Sequence, residues 1–177
     1  MRAWGILVNG GFDVKPTLIK KIVREKEEEG GVVLFEHEEG QKQRLLPEGI
    51  SEALISALKS ITKPGGTGAL ADIPGFTEAG KTSTTEKIVQ GKYSKKHHFS
   101  SFIGFSPANS PKFLLFIGID EPKCQYLPGI GKMHFGGKCA APAFRRIMQR
   151  TYHYIGQSPD DPYGYLLGDP RLDKKRA

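Results

Sequence analysis

Cysteine is scarce in this sequence: Cys124 and Cys139 are the only two, too few for a disulfide framework. They could pair with each other in an exported protein, and the count fixes no redox compartment. No apolar run is long enough to cross a bilayer. The N-terminus carries no charged segment followed by a cleavable apolar one, so neither a span nor a signal is read here. Aromatic residues do not interleave with the basic ones at Lys20-Lys21, Lys95-Lys96 and Lys174-Lys175-Arg176. A net charge of +7 invites a nucleic-acid partner, but without stacking rings or a recognition helix it reads as a solvated surface. Internal repeats and low-complexity stretches are also missing.

What is present suffices for one ordinary core, since 177 residues with 38% hydrophobic content predict a single domain. Residues 2 to 9 read as the end of a helix stopped by Gly10-Gly11. An uncapped helix at residue 2 suggests a chain that starts inside a domain. Pro16 to Arg24 and Val32 to Glu36 read as a strand pair around a solvated turn, although Glu25 to Glu29 could form a short frayed helix. Ile50, Leu54, Leu58 and Ile61 recur at helical spacing, which predicts an amphipathic helix over 50–62, ended by Lys63-Pro64-Gly65-Gly66.

Ala69 to Pro74 reads as a weak strand broken by proline. Residues 82 to 90 are β-branched and hydroxyl-rich, which predicts a strand. Gly91 to His98 reads as a basic loop. Phe99 to Phe105 and Phe113 to Asp120 read as buried neighbouring strands. A helix from about Pro142 places Phe144, Ile147, Met148, Thr151 and Ile155 on one face. The tail from Ser158 is expected on the surface or mobile. This order predicts an α+β fold, mainly an antiparallel sheet with helices packed on it, over residues 1–157 with a tail at 158–177.

Gly75 to Lys87 carries the chemistry, and it parses in two ways. Gly75 to Thr82 fits the phosphate loop G-x-x-x-x-G-K-[ST], with Asp120-Glu121 as magnesium holders of an NTPase. A phosphate loop must open into a helix, however, and the residues after Lys81 favour a strand. The other parse is a strand with Lys81, Thr82, Ser83 and Thr84 in a row, close to the K-T-G triplet of penicillin-recognising serine enzymes. There a lysine holds or relays a proton and attracts a carboxylate, threonine hydroxyls bind it, and a free strand edge can bond a peptide. A third reading is a peptide- or partner-binding module without catalysis.

Two S-x-x-K matches, Ser56 to Lys59 and Ser60 to Lys63, fall on the polar side or at the end of the helix over 50–62 and read as decoys. Cys124, His134 and Cys139 match no customary zinc spacing, so they read as buried thiol and surface imidazole. His97 and His98, being adjacent, would point to opposite faces of a strand, and they read as loop histidines. No metal or other cofactor is expected.

Taken together, the ordered segments resemble the C-terminal part of the transpeptidase domain of class B penicillin-binding proteins, the division and elongation type. They are Ile6 to Gly11 with Lys15 to Leu18, Gly66-Thr67-Gly68 with Ala71, and Ala79-Gly80-Lys81-Thr82-Ser83-Thr84. Phe102 to Ala108 with Pro111-Lys112, and Ala140 to Phe144, complete the set. The resemblance implies D,D-transpeptidation of peptidoglycan: a serine is acylated by a stem peptide, releasing D-Ala, and passes the acyl group to a neighbouring amine. β-Lactams would trap that serine.

It implies that Lys81 serves the catalytic cluster and that Thr82 and Thr84 hold the substrate carboxylate, with the Thr84 N–H as an oxyanion donor. It also requires residues 79 to 86 to be extended beside a cleft, with the Lys81 amine turned into it. Ser83 stands where the family has glycine, which implies altered affinity. The family's serine nucleophile and S-x-N motif precede the helix ending at Asn9, so this chain is expected to be inactive alone. The implied partners are the stem peptide, β-lactams, the preceding part of the domain and cell-wall synthesis proteins. The implied place is the outer face of the cytoplasmic membrane.

Overall fold

Helix formation, turn chemistry and alternation divide the chain into two compact units, 1–51 and 52–177. The computed structural model describes residues 1–25, 31–38, 40, 43–47 and 49–164. In the first unit α1 (Arg2–Val8) ends where Gly10 and Gly11 take φ values of 82° and 94°, a conformation costly for a residue with a Cβ. Arg2 pairs with Asp13 at 2.6 Å. Strands β1 (Lys21–Arg24) and β2 (Val32–Glu36) form an antiparallel pair.

The strand expected from Pro16 begins only at Lys21. Thr17 Oγ1 bonds both the N–H and the C=O of Ile19, which turns the backbone out of extension. The turn between the strands, with its alternative helix over 25–29, lies outside the described residues from 26 to 30.

The second unit is built on a three-stranded antiparallel sheet, ordered β3 (Ala79–Val89), β4 (Lys92–Ser106), β5 (Phe113–Asp120). Helix α2 (Ile50–Thr62) forms over the expected residues. The weak strand expected over 69–74 is instead a 3-10 turn at Ala69–Ala71, since Gly68 and Pro74 leave too short a run to pair. The expected basic loop 91–98 is the first half of β4. Gln90 and Gly91, at φ 51° and 77°, make a two-residue hairpin turn whose twist lets both strands run on together.

On β5 alternate residues are half-buried and exposed rather than buried throughout, because it borders the sheet with one covered face. A short hairpin of β6 (Tyr126–Leu127) and β7 (Gly131–Lys132) and a one-turn helix α3 (Gly136–Cys139) follow, neither signalled by sequence periodicity. The unit closes with α4 (Ala141–Ile155), Pro142 in its first turn and Gly156 in the left-handed conformation at its end.

One sheet face carries Phe102 opposite Ile117, and Ser100 opposite Ile119. Against it pack Phe144, Met148 and Tyr152 from α4 with Ala71, Ile73 and Phe76. The buried stripe of α4 is Ala141, Phe144, Met148 and Tyr152; Ile147 and Ile155, expected on that face, are exposed. The reason is a narrow seam: residues four apart follow it, and Tyr152 adds a hydroxyl that donates to Ser106 Oγ at 2.7 Å. Gly104 leaves room for the Phe144 ring, which meets Phe102 edge-on at 5.0 Å.

Beneath the sheet's start lies a charged cluster. Lys63 reaches Asp72 at 2.5 Å and Glu78 at 3.0 Å, and Glu78 also accepts the Ile73 N–H. The described part of the tail is tied down: Asp160 accepts the Thr77 N–H at 2.8 Å, and Asp161 N–H donates to Gly75 O. Residues 165 to 177 lie outside the described set.

Candidate functional site on the border strand

Residues 79 to 89 are one extended strand, and β3 borders the sheet with β4 as its single strand neighbour among the described residues. The phosphate-loop reading fails on this point, for no helix N-terminus follows Gly80-Lys81-Thr82 to gather N–H groups around an anion. Its second half fails too. Asp120 is held by Lys87 at 2.5 Å and Glu121 by Lys87 at 3.0 Å, at the opposite end of β3 from Gly75.

Period-two alternation sorts the motif onto two faces. Thr82 and Thr84 share the helix-covered face with their partners Phe102 and Ser100. Thr82 Oγ1 donates to Thr67 Oγ1 at 2.9 Å, which ties the Gly66-Thr67-Gly68 loop to the strand. Thr84 Oγ1 accepts the Gly136 N–H at 3.0 Å, which ties α3 to it.

These contacts need glycines. A Cβ on Gly136 would stand 2.3 Å from Ser101 O and 2.4 Å from Ser83 O, and one on Gly137 would stand 2.0 Å from Thr67 O. Lys81 and Ser83 are on the other face and exposed. Lys81 Nζ donates to Thr82 O at 2.9 Å, and Ser83 Oγ is 3.4 Å from Thr85 Oγ1.

A hollow of about 620 Å³ opens beside the strand, lined by Thr84, Glu86, Lys95, His98, Lys132 and His134 among others. Of the four motif residues only Thr84 borders it; the Lys81 amine, expected to turn into a cleft, is instead exposed and outside this hollow, bonded back to Thr82 O. Two lysines give that hollow a cationic rim.

Neither S-x-x-K match forms a nucleophile pair. Ser60 Oγ donates to Ala57 O at 2.7 Å within its own helix, and Lys63 is taken by Asp72 and Glu78. Ser56 is exposed, and Lys59 bonds Asn109.

The thiols and imidazoles are arranged differently from the sequence expectation. Cys124 and Cys139 are free, not paired. His134, expected at the surface, is 8% exposed, because α3 folds its loop down onto β4. His98 lies on β4, 5% exposed, with its ring 4.5 Å from that of His134. Cys139 reaches the carbonyl oxygens of His134 and Phe135, while Cys124 is 3.4 Å from His98 Nδ1. Sequence reasoning missed His98 here because a loop assignment hides which face a residue takes.

Comparison with known proteins bears on this geometry. The family description "Penicillin binding protein transpeptidase domain" matches residues 1–149. The probable peptidoglycan D,D-transpeptidase PenA of Neisseria meningitidis is 34% identical over 122 residues, 69% of this chain and 20% of that protein. Peptidoglycan D,D-transpeptidase FtsI of Escherichia coli is 33% identical over 119 residues, 67% of this chain and 19% of that one. The chain thus spans about a fifth of the length of these relatives. Among solved structures, penicillin binding protein 3 of Mycobacterium tuberculosis complexed with ampicillin superposes with a TM-score of 0.71 at 22% identity, covering 93% of this chain and 36% of that one. That likeness shows the α+β fold.

Proposed function

The chain belongs to the penicillin-binding protein transpeptidase domain family, and from that premise we propose that β3 is the substrate-binding wall of a peptidoglycan D,D-transpeptidase. The observation that carries the reading is the strand itself: Lys81, Thr82, Ser83 and Thr84 run extended along a sheet border whose outer side has no strand partner. A stem peptide laid against that border gains main-chain hydrogen bonds. Its terminal carboxylate, at the strand's edge, meets the threonine hydroxyls from one face, and the Lys81 ammonium reaches it round the edge from the other once it leaves Thr82 O, a charge-assisted bond stronger than a neutral one. β-Lactams, which carry a carboxylate beside a reactive amide, fit the same wall.

In this reading Lys81 keeps positive potential next to the acylated serine, and the Thr84 N–H is one of the donors to the oxyanion. The serine comes from residues other than these, since the hydroxyls and ammonium groups of both S-x-x-K matches are engaged elsewhere or set on a helix surface. The chain supplies binding and not acylation. It works with the rest of a catalytic domain and with cell-wall synthesis proteins, at the outer face of the cytoplasmic membrane. No helix among the described residues is long and apolar enough to cross a membrane.

Titrating the chain with an acyl-D-Ala-D-Ala peptide and following backbone amide shifts tests this. Shifts centred on 81–84 that vanish in Lys81→Ala and weaken with salt are expected. Shifts absent, or unchanged by Lys81→Ala, would refute the wall. Incubation with a fluorescent penicillin should leave the chain unlabelled.

A further inference from the structure

Three side chains with soft or borderline donors meet at a place the transpeptidase reading does not use. His98 comes from the middle of β4, Cys124 from the loop after β5, and His134 from the loop between β7 and α3. One donor atom from each lies within 4.8 Å of the others. The backbone brings them there: Met133 N–H donates to Gln125 O at 2.8 Å, extending the β6–β7 pairing until Cys124 and His134 stand beside each other. We infer that His98, Cys124 and His134 form a three-ligand zinc site that fastens the loop before α3 to the sheet.

Distance supports it. Two donors on one zinc, at about 2.0 Å for nitrogen and 2.3 Å for sulfur, stand roughly 3.5 Å apart in a tetrahedron. Cys124 Sγ and His98 Nδ1 are 3.4 Å apart, and the remaining separations close with small side-chain rotations.

Chemistry supports it too. His134 Nδ1 is buried with no hydrogen-bond partner, a costly condition that a metal or its water relieves. The Cys124 thiol now donates to Lys96 O. On binding, the S–H proton leaves to solvent as the Zn–S bond forms, and the site gains one positive charge net. Both histidines line the hollow, so water completes the fourth position from that side. Lys95 and Lys132 oppose a dication there, and the thiolate with Glu86 offsets them.

The consequence reaches β3. His134 is two residues from Gly136, whose N–H bonds Thr84 Oγ1, so the ion fixes the loop that holds Thr84. The site is a clamp, separate from any acyl chemistry.

The test uses the reduced 177-residue chain, with zinc binding measured by competition against a chromophoric chelator and cobalt(II) as the spectroscopic probe. One equivalent of zinc is expected, together with a thiolate-to-cobalt charge-transfer band in the near ultraviolet. Cys124→Ser, at an exposed position, should weaken zinc at least about 100-fold and abolish the band, while Cys139→Ser keeps both. Zinc should also slow exchange of the Gly136 amide in the parent and not in Cys124→Ser. Zinc binding equal in parent and Cys124→Ser would overturn the site. So would a band that survives Cys124→Ser, or a parent that binds no zinc.

Discussion

Glu78 shows how one residue's environment sets a property of the whole fold. Two carboxylates, Asp72 and Glu78, share the single ammonium of Lys63. Glu78 is the deeper, and burial pushes its pKa up to about 7 against the pull of Lys63. Burial also works against the charged lysine, but the two acids outweigh it and raise its pKa. The sign follows from which state holds the proton. Between about 4.5 and about 7 the folded chain keeps the Glu78 proton and the unfolded chain has lost it. Stability should therefore fall as pH rises across that window, by on the order of 3 kcal/mol, and level off above it. Thermal melts from pH 4 to 8 check this, and Glu78→Gln should flatten the slope. A slope that persists in Glu78→Gln would assign it to another group. Tyr152 offers a second residue-scale test. Tyr152→Phe removes the buried O–H donor to Ser106 Oγ and should cost about 1 kcal/mol in urea denaturation.

At the scale of elements, α3 and the Gly66-Gly68 loop matter because each is pinned to a motif threonine through a glycine-only approach. Gly136→Ala forces a methyl against two carbonyl oxygens. A loss of about 1–3 kcal/mol and faster amide exchange at 134–139 are expected, read by denaturation and exchange mass spectrometry. The β1–β2 pair and the three-stranded sheet should also differ. β1 and β2 are exposed at every position, including Ile22, Val23 and Phe35, whereas β4 carries Phe102 and Phe105 fully buried. An isolated strand pair is marginal in water, so amides at 21–24 and 32–36 should exchange fast and those at 99–106 slowly. Equal protection would contradict this.

Elements were legible in the sequence where one period dominated. Ile50 to Ile61 announced α2, and the hydroxyl-rich run after Lys81 announced β3. The exceptions have physical causes. β4 was cut short because Lys92 to His97 is largely polar with no fully buried residue, a hairpin arm held by its pairing with β3 and not by burial. The short elements α3 and β6–β7 carry no periodicity at all. The meeting of His98 with Cys124 and His134 depends on three separate backbone segments, which spacing along the chain cannot disclose.

For the molecule as a whole, the membership of residues 1–149 in the transpeptidase family and the extended, bordering position of β3 point the same way. Lys81 is exposed and bonded to Thr82 O, so in the proposed reading substrate must draw its amine away from that carbonyl. The most direct measurement places this chain in a complete domain. Its residues 1–149 would replace the matching part of the meningococcal relative's transpeptidase domain, and acylation by a fluorescent penicillin would be timed. The account predicts that the folded chimera is labelled and that Lys81→Ala slows labelling at least about 100-fold, the effect of losing a charge-assisted contact at the reacting centre. A folded chimera that takes no label, or one whose Lys81→Ala variant labels at the parent rate, would contradict it.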